Sequence, residues 1–154
     1  MQTDIATPVD LDELLKKADT CYEQGDHAGA IEPLDQALEL TNRHPMILRA
    51  LGTQLFLSKR YTWAHTIFEE LTKAYPEEAG DQVHYAIAAF HNGNTDLCAA
   101  ALEQALTIDP HHSDALKLSA DLDLREERYC EAKTKYELIA EKHGISVECL
   151  HALA

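Results

Sequence analysis

Histidines have the most obvious potential for chemistry in this sequence, since an imidazole can bind a metal or transfer a proton near neutral pH. The 154 residues include nine of them. His84 and His91 stand seven residues apart and could share one face of a helix, and His111 adjoins His112. A zinc site needs three or four ligands at short spacings, and neither pair has further ligands in such a pattern. We therefore predict partly exposed surface histidines, with no metal and no cofactor.

Nucleophilic catalysis has no better support in the sequence. The four cysteines are far apart and form no Cys-x-x-Cys motif, which favours reduced thiols in a cytosolic protein. Cys98 occupies a position that calls for a small packing residue, so we expect a buried, inert thiol. The sequence contains neither a Gly-rich phosphate loop nor a nucleophile elbow. We predict a protein that is not an enzyme.

The charge of the chain limits its partners. Its 27 acidic and 13 basic residues give a formal net charge of −14, which repels nucleic acid and anionic membrane surfaces. The first ten residues contain no Lys or Arg and no apolar segment typical of a secretory signal, and no later apolar run has the length of a membrane span. We expect a soluble, cytoplasmic protein whose partners are proteins.

Helices have to position these side chains. Ala, Leu, Glu, Gln and Lys dominate the chain, and Val, Ile and Thr form none of the alternating runs that are typical of strands. Similar segments align when the sequence is shifted by 34 residues, a length that suits two antiparallel helices. The sequence therefore predicts an all-α fold. The four repeats are residues 11–44, 45–78, 79–112 and 113–146. In the third repeat the two predicted helices are residues 81–91 and 96–108.

Several positions, counted from the start of each repeat, keep one residue type. Positions 8 and 20 are small in all four repeats, which lets the two helices of a repeat approach closely. They hold Ala18, Gly52, Ala86 and Ala120, then Ala30, Ala64, Cys98 and Ala132. Position 32 carries residues that end helices. These are Asn42, Pro76, Pro110 and Gly144.

The turn between the two helices of a repeat falls at position 15, where a short connection favours positive φ and therefore glycine. The residues there are Gly25, Lys59, Gly93 and Glu127. Asp26 and Asn94 follow the two glycines and are predicted N-caps. Pro33 is expected inside the second helix of the first repeat, where it should cost one backbone hydrogen bond and bend the helix.

This pattern resembles the tetratricopeptide repeat family. The residues that carry the likeness are Leu51, Gly52, Tyr61, Ala64, Phe68 and Pro76 in the second repeat, and Tyr85, Ala86, Cys98, Leu102, Ala105 and Pro110 in the third. The resemblance implies an α-solenoid of four helix-turn-helix repeats, stacked into a right-handed arc. Around the repeats of residues 11–146 we predict an N-terminal extension, residues 1–10, and a C-terminal capping helix, residues 147–154, for which the alternative is the start of a fifth repeat. Ser119 and Asp123 depart from the pattern, since both stand at usually apolar positions.

In the family resembled, the first helix of each repeat lines a concave groove with positions 2, 5, 6, 9, 12 and 13. The residues predicted to bind a partner there are Tyr22, Arg49, Thr53, Phe56, Leu57, Val83, His84, Ile87, Phe90 and His91. The fourth repeat adds Asp114, Lys117, Leu118, Asp121, Leu124 and Arg125 at the same six positions. Such a surface, apolar in the middle and charged at its ends, suits an apolar segment or an amphipathic helix. Several of these residues could equally be core.

Three functions are open at this stage. The first is a non-enzymatic scaffold that holds a peptide or amphipathic helix of a partner by its apolar groove; in the rival binding mode, the acidic ends capture a basic partner. The second is a cytosolic chaperone for a hydrophobic translocator, because the length and acidity resemble small tetratricopeptide chaperones of type III secretion. The third is the recognition domain of a larger enzyme, such as a glycosyltransferase or methyltransferase. A homodimer is also open.

Overall fold

Helical periodicity and helix-ending residues alternate along the sequence, and the computed structural model describes residues 10–144 as helices joined by short turns. In that part of the chain there are eight α-helices and no strands. Their bounds are α1 Leu11–Glu23, α2 Ile31–Leu40, α3 Pro45–Leu57, α4 Tyr61–Ala74, α5 Ala79–His91, α6 Thr95–Ile108, α7 Ser113–Arg125 and α8 Tyr129–Lys142. The prediction of an all-α fold is confirmed.

The repeat spacing recurs in the helices. The odd-numbered helices begin at residues 11, 45, 79 and 113, and the even-numbered helices end at residues 40, 74, 108 and 142. Each even-numbered helix therefore stops two residues before the Asn, Pro or Gly at position 32. The predicted capping helix, residues 147–154, lies outside the described residues, and so does most of the N-terminal extension. Those boundaries stay predictions.

The chain forms two compact units, divided within α4. The N-terminal unit comprises residues 1–67 and the C-terminal unit residues 68–154. In the C-terminal unit a core of small and medium apolar side chains joins α5, α6 and α7. Its buried members are Val83, Ala86, Ala89, Cys98, Ala101, Leu102, Ala105, Ala115 and Leu122. The alanines keep the helices close together, because a larger side chain would hold them apart.

All four residues at position 15 have positive φ. Gly25 and Gly93 have φ of 73° and 80°, as the sequence predicts, and Lys59 and Glu127 have 62° and 59°. A side chain in this left-handed region crowds its own backbone, which costs an L-residue about 1–2 kcal/mol. The short turn between helices therefore imposes the same backbone on residues that are not suited to it.

Replacing Lys59 by glycine should raise the free energy of unfolding by about 0.5 to 1 kcal/mol, because glycine removes that crowding. Urea denaturation of the variant and of the parent protein measures the change. Lys59→Ala, which removes the same charge but keeps a Cβ, is the matched control and should give no such gain. Equal stabilisation by both variants would assign the effect to charge instead of backbone conformation.

The start of α2 differs from the prediction. The helix begins at Ile31, so Pro33 lies in its first turn and not in its interior. Amides in the first turn have no acceptor within the helix, and the missing N–H of proline therefore costs no hydrogen bond there. Asp26 does not cap α2, whose N-cap is Ala30, but its Oδ1 accepts the N–H of Gly29 at 2.9 Å in the preceding turn. Proline selects this later start because its ring would clash with the carbonyl of the residue four before it.

The N-cap prediction at Asn94 is confirmed. Its side-chain oxygen accepts the N–H of Leu97 at 3.1 Å, at the start of α6. An amide oxygen there satisfies one of the backbone donors that the first turn leaves without a partner. Across residues 10–144, no helix combines the length and apolar character needed to cross a bilayer.

Candidate partner-binding site

A cleft of about 370 Å³ lies between α5 and α7 in the C-terminal unit. Its lining combines apolar, acidic, basic and imidazole side chains. The lining residues are Gly80, Val83, His84, Ile87, His112, Asp114, Lys117, Leu118 and Asp121. Apart from His112, they stand at positions 2, 5, 6 and 9 of the third and fourth repeats, which the resemblance assigns to the concave groove.

The floor of the cleft is apolar. Val83 belongs to the core and is only 3% exposed, while Ile87 and Leu118 are partly buried and pack against that core. Their positions are set by the core beneath them, so the floor exists before any partner arrives. The surface of Ile87 and Leu118 that stays accessible can be buried by the side chains of a bound segment.

Two histidines of the cleft use Nδ1 in opposite hydrogen-bonding roles, His84 as donor and His112 as acceptor. The ring of His84 stacks on Phe68, with centroids 4.9 Å apart and planes 12° apart, and its Nδ1 lies 2.8 Å from the carbonyl of Gly80. Because a carbonyl only accepts, Nδ1 of His84 must carry a hydrogen, and Nε2 is the ring nitrogen left to a ligand. His112, the N-cap of α7, accepts the N–H of Ala115 at Nδ1 over 3.4 Å, so its Nε2 carries the hydrogen.

The α7 wall carries two carboxylates and one ammonium group. Oδ1 of Asp121 accepts the hydroxyl of Tyr136 at 2.5 Å. That hydrogen bond, together with burial and the carboxylate charge, raises the pKa of Tyr136 to about 12, so the phenol stays a donor at neutral pH. Asp114 and Lys117 are exposed and form no ion pair with any side chain of residues 10–144. Their charges are available to a ligand.

The cleft brings together three of the predicted groove residues, Val83, His84 and Ile87. Phe90 and His91 are not among its lining residues. Phe90 packs against the core, and the guanidinium carbon of Arg125 lies 4.8 Å from its ring centroid. The exposed ring of His91 stands 5.8 Å from the ring of Phe90, edge to face.

The other predicted groove residues lie on α1 and α3 of the N-terminal unit. Tyr22 and Leu57 are exposed. The hydroxyl of Thr53 donates to the carbonyl of Arg49 at 2.8 Å, which commits that hydroxyl to its own helix. The ring of Phe56 packs edge-on against Tyr61, with centroids 5.5 Å apart. Of these five residues, Tyr22, Phe56 and Leu57 offer apolar and aromatic surface.

Two features of the C-terminal unit were missed by sequence reasoning. His112 occupies repeat position 34, which lies outside the groove positions, although His44 stands two repeats (68 residues) earlier at the same position and is the N-cap of α3. That recurrence was the available signal for an N-cap. The hydrogen bond from Tyr136 to Asp121 had no signal, because the two residues lie on different helices.

The two departures from the repeat pattern are explained by one polar network. Asp123 is only 4% exposed and binds both Lys135 and Arg128, with its Oδ1 2.7 Å from Nη2 of the arginine. Nζ of Lys135 also donates to the hydroxyl of Ser119 at 2.7 Å. Ser119 and Asp123 thus link α7 to Lys135 of α8 by polar contacts, at positions where apolar packing is usual. Glu126 also binds Arg128, so two carboxylates balance the two cations. Ser119, Asp123, Arg128 and Lys135 line a second cleft, of about 380 Å³, but their charged groups are already paired.

Cys98 is buried in the core, and burial raises the pKa of its thiol to about 11. We expect Cys98 of the native protein to react with iodoacetamide far more slowly than the exposed Cys130. Mass spectrometry of modified peptides over time measures both rates, and in denaturant the two should become similar. Comparable rates in the native protein would contradict the burial of this thiol.

The histidine pairs have separate partners in the structure. His84 stacks on Phe68, whereas His91 contacts Phe90. His112 caps α7. Within residues 10–144, no three His, Cys, Asp or Glu side chains converge as metal ligands would.

Comparison with known proteins identifies the repeat type. Residues 15–79 and 50–113 match the family model described as Tetratricopeptide repeat. No curated protein sequence matches the chain.

Solved structures share the fold at low sequence identity. MamA from Desulfovibrio magneticus RS-1 has a TM-score of 0.79 and 19% identity, over 88% of this chain and 77% of that protein. A tetratricopeptide repeat protein from Parabacteroides merdae has a TM-score of 0.78 and 21% identity, over 89% of this chain and 55% of that one. Identities of this order support a common fold and carry no further information about function.

Proposed function

Because this chain belongs to the tetratricopeptide repeat family, we propose that it is a non-enzymatic scaffold whose C-terminal unit binds a segment of a partner protein between α5 and α7. Tetratricopeptide repeats support protein–protein interaction, and protein partners follow from the fold. The observation that carries the proposal is the cleft itself, which places the groove positions of two successive repeats around one accessible apolar floor.

The lining suits a peptide segment. Ile87 and Leu118 can receive apolar side chains over the buried Val83, while Nε2–H of His112 offers a donor and Nε2 of His84 a further hydrogen-bonding atom to a peptide backbone. A bound segment thereby replaces the water at both the apolar and the polar parts of the lining. Contacts of this kind give affinity without a reactive group.

Gly80 provides a sharp test of occupancy. It lines the cleft, and a Cβ built on it meets no heavy atom within 4 Å. Gly80→Leu should therefore fill part of the cleft without disturbing α5, and Gly80→Ala is the matched control. The probe is a phage library of random dodecapeptides selected on the native chain, followed by calorimetry of the synthesised peptides.

We expect Gly80→Leu to weaken the selected peptides at least tenfold, about 1.4 kcal/mol, and Gly80→Ala to leave their affinity nearly unchanged. Ile87→Ala should weaken them by about 1 to 3 kcal/mol, since it removes apolar contact area. Thermal unfolding of each variant shows that the fold is retained. Peptides that bind Gly80→Leu and native protein equally would place the binding surface elsewhere and contradict the proposal.

A further inference from the structure

We infer that the segment bound between α5 and α7 carries a lysine or arginine, whose aliphatic part lies on the apolar floor and whose charged end meets Asp121, with the exposed carboxylate of Asp114 further along the same wall adding to the attraction. This inference rests on the proposed function, since it specifies the chemistry of the segment bound at the same cleft. It goes beyond an apolar groove, because it makes a charge on the partner part of recognition.

The shape of the lining suits a side chain with an apolar stem and a cationic end. The floor of Val83, Ile87 and Leu118 adjoins the acidic wall of α7. A lysine or arginine buries its methylene groups along apolar surface while its charged end stays near water. A purely apolar side chain would contact the floor but leave the carboxylates without a ligand.

The two carboxylates of the α7 wall differ in the hydrogen bonds that they already accept. Oδ1 of Asp121 accepts the hydroxyl of Tyr136, and its Oδ2 receives no hydrogen bond from residues 10–144. One donor on one oxygen restrains the carboxylate and leaves the other oxygen to accept. Asp114, exposed in the first turn of α7, forms no ion pair within the same residues. A cationic partner group would supply the missing donor, and the net charge of −14 would attract it.

Lys117 allows a direct test of the inference. It lines the same α7 wall of the cleft and stands between Asp114 and Asp121 in the sequence. If the ligand is a cation, Lys117 repels it; if the ligand is an anion, Lys117 is its strongest partner in the cleft. Replacing this one residue therefore moves the affinity in opposite directions for the two ligand charges.

The experiment uses the selected dodecapeptides and, for each, an analogue with norleucine in place of its lysine or arginine. Affinities are measured by calorimetry for the native chain, Asp121→Asn, Lys117→Gln and the control Asp96→Asn, whose exposed carboxylate lies on α6 outside the cleft. We expect Asp121→Asn to weaken the basic peptides about tenfold, as loss of a charged hydrogen bond does, and Lys117→Gln to strengthen them two- to fivefold.

Asp96→Asn should change little, and the norleucine analogues should be insensitive to Asp121→Asn. Two outcomes would overturn this inference but leave the proposed function intact. In the first, the selected peptides bind Gly80→Leu more weakly than native protein but contain no basic residue; in the second, they bind Lys117→Gln more weakly than native protein. Peptides that are indifferent to Gly80→Leu would overturn both.

Discussion

Replacing Asp123 by alanine is expected to lower the free energy of unfolding by about 2 to 4 kcal/mol. Removing one partner of a buried ion pair costs about 3–5 kcal/mol, because the opposite charge is left without compensation. The loss is smaller here, since Arg128 is 44% exposed and can reach water, whereas Lys135 is largely enclosed. Urea denaturation of the variant and of the parent protein measures the difference.

The matched control is Glu126→Ala, which removes the other carboxylate bound to Arg128. That carboxylate is 53% exposed, so its ion pair is screened by water and should contribute less than about 1 kcal/mol. Similar losses for both variants would mean that the enclosure of Asp123 is unimportant.

The effect of Asp123 should depend on pH. Burial alone would raise the pKa of Asp123, but the hydrogen bonds and charges of Lys135 and Arg128 outweigh it and hold the pKa below its ordinary value. A carboxyl with a lowered folded-state pKa stabilises the protein above its unfolded-state pKa of about 3.9, and the contribution disappears as pH falls through the folded value. The stability difference between parent and Asp123→Ala should therefore narrow below about pH 4. A difference that stays constant down to about pH 3 would exclude this ion pair as its source.

Ala86→Leu is expected to destabilise the protein by about 1 to 3 kcal/mol, and Ala64→Leu similarly, because both alanines are fully buried. Each stands at a position that is small in every repeat, where added methylene groups would force packed helices apart. Ala100→Leu, on the exposed side of α6, is the control and should leave the melting midpoint nearly unchanged. An unchanged midpoint for Ala86→Leu would contradict the tight helix packing inferred from the repeat pattern.

Helix bounds were largely predictable because they depend on local signals. For the third repeat the sequence predicts helices over 81–91 and 96–108, and the structure has Ala79–His91 and Thr95–Ile108. Apolar periodicity, the turn around Gly93 and the cap at Asn94 all act within a few residues. The first repeat was less predictable, because Pro33 suits both an interior kink and a first turn.

The sequence predicted most of the residues that line the cleft, but not how exposed each of them is. Repeat phase placed Val83, His84 and Ile87 on the groove side, and the structure brings them together. Phase alone could not reveal that Val83 is almost wholly buried or that Arg125 covers Phe90. The exposure of a side chain depends on how close the neighbouring helices lie, and the repeat period of a sequence does not give the distances between helices.

The sequence by itself determined the all-α class, the 34-residue unit and the positions that must be small, because each follows from the geometry of a helix and its turn. It also predicted positive φ at Gly25 and Gly93, whereas the same backbone conformation at Lys59 and Glu127 is seen only in the structure. Only the tertiary structure decided that Tyr136 holds Asp121 and that Lys135 reaches Ser119 and Asp123. Those partners are 12 to 16 residues apart. Side chains meet over such separations only when the packing of two helices sets their distance and rotation, which local sequence does not specify.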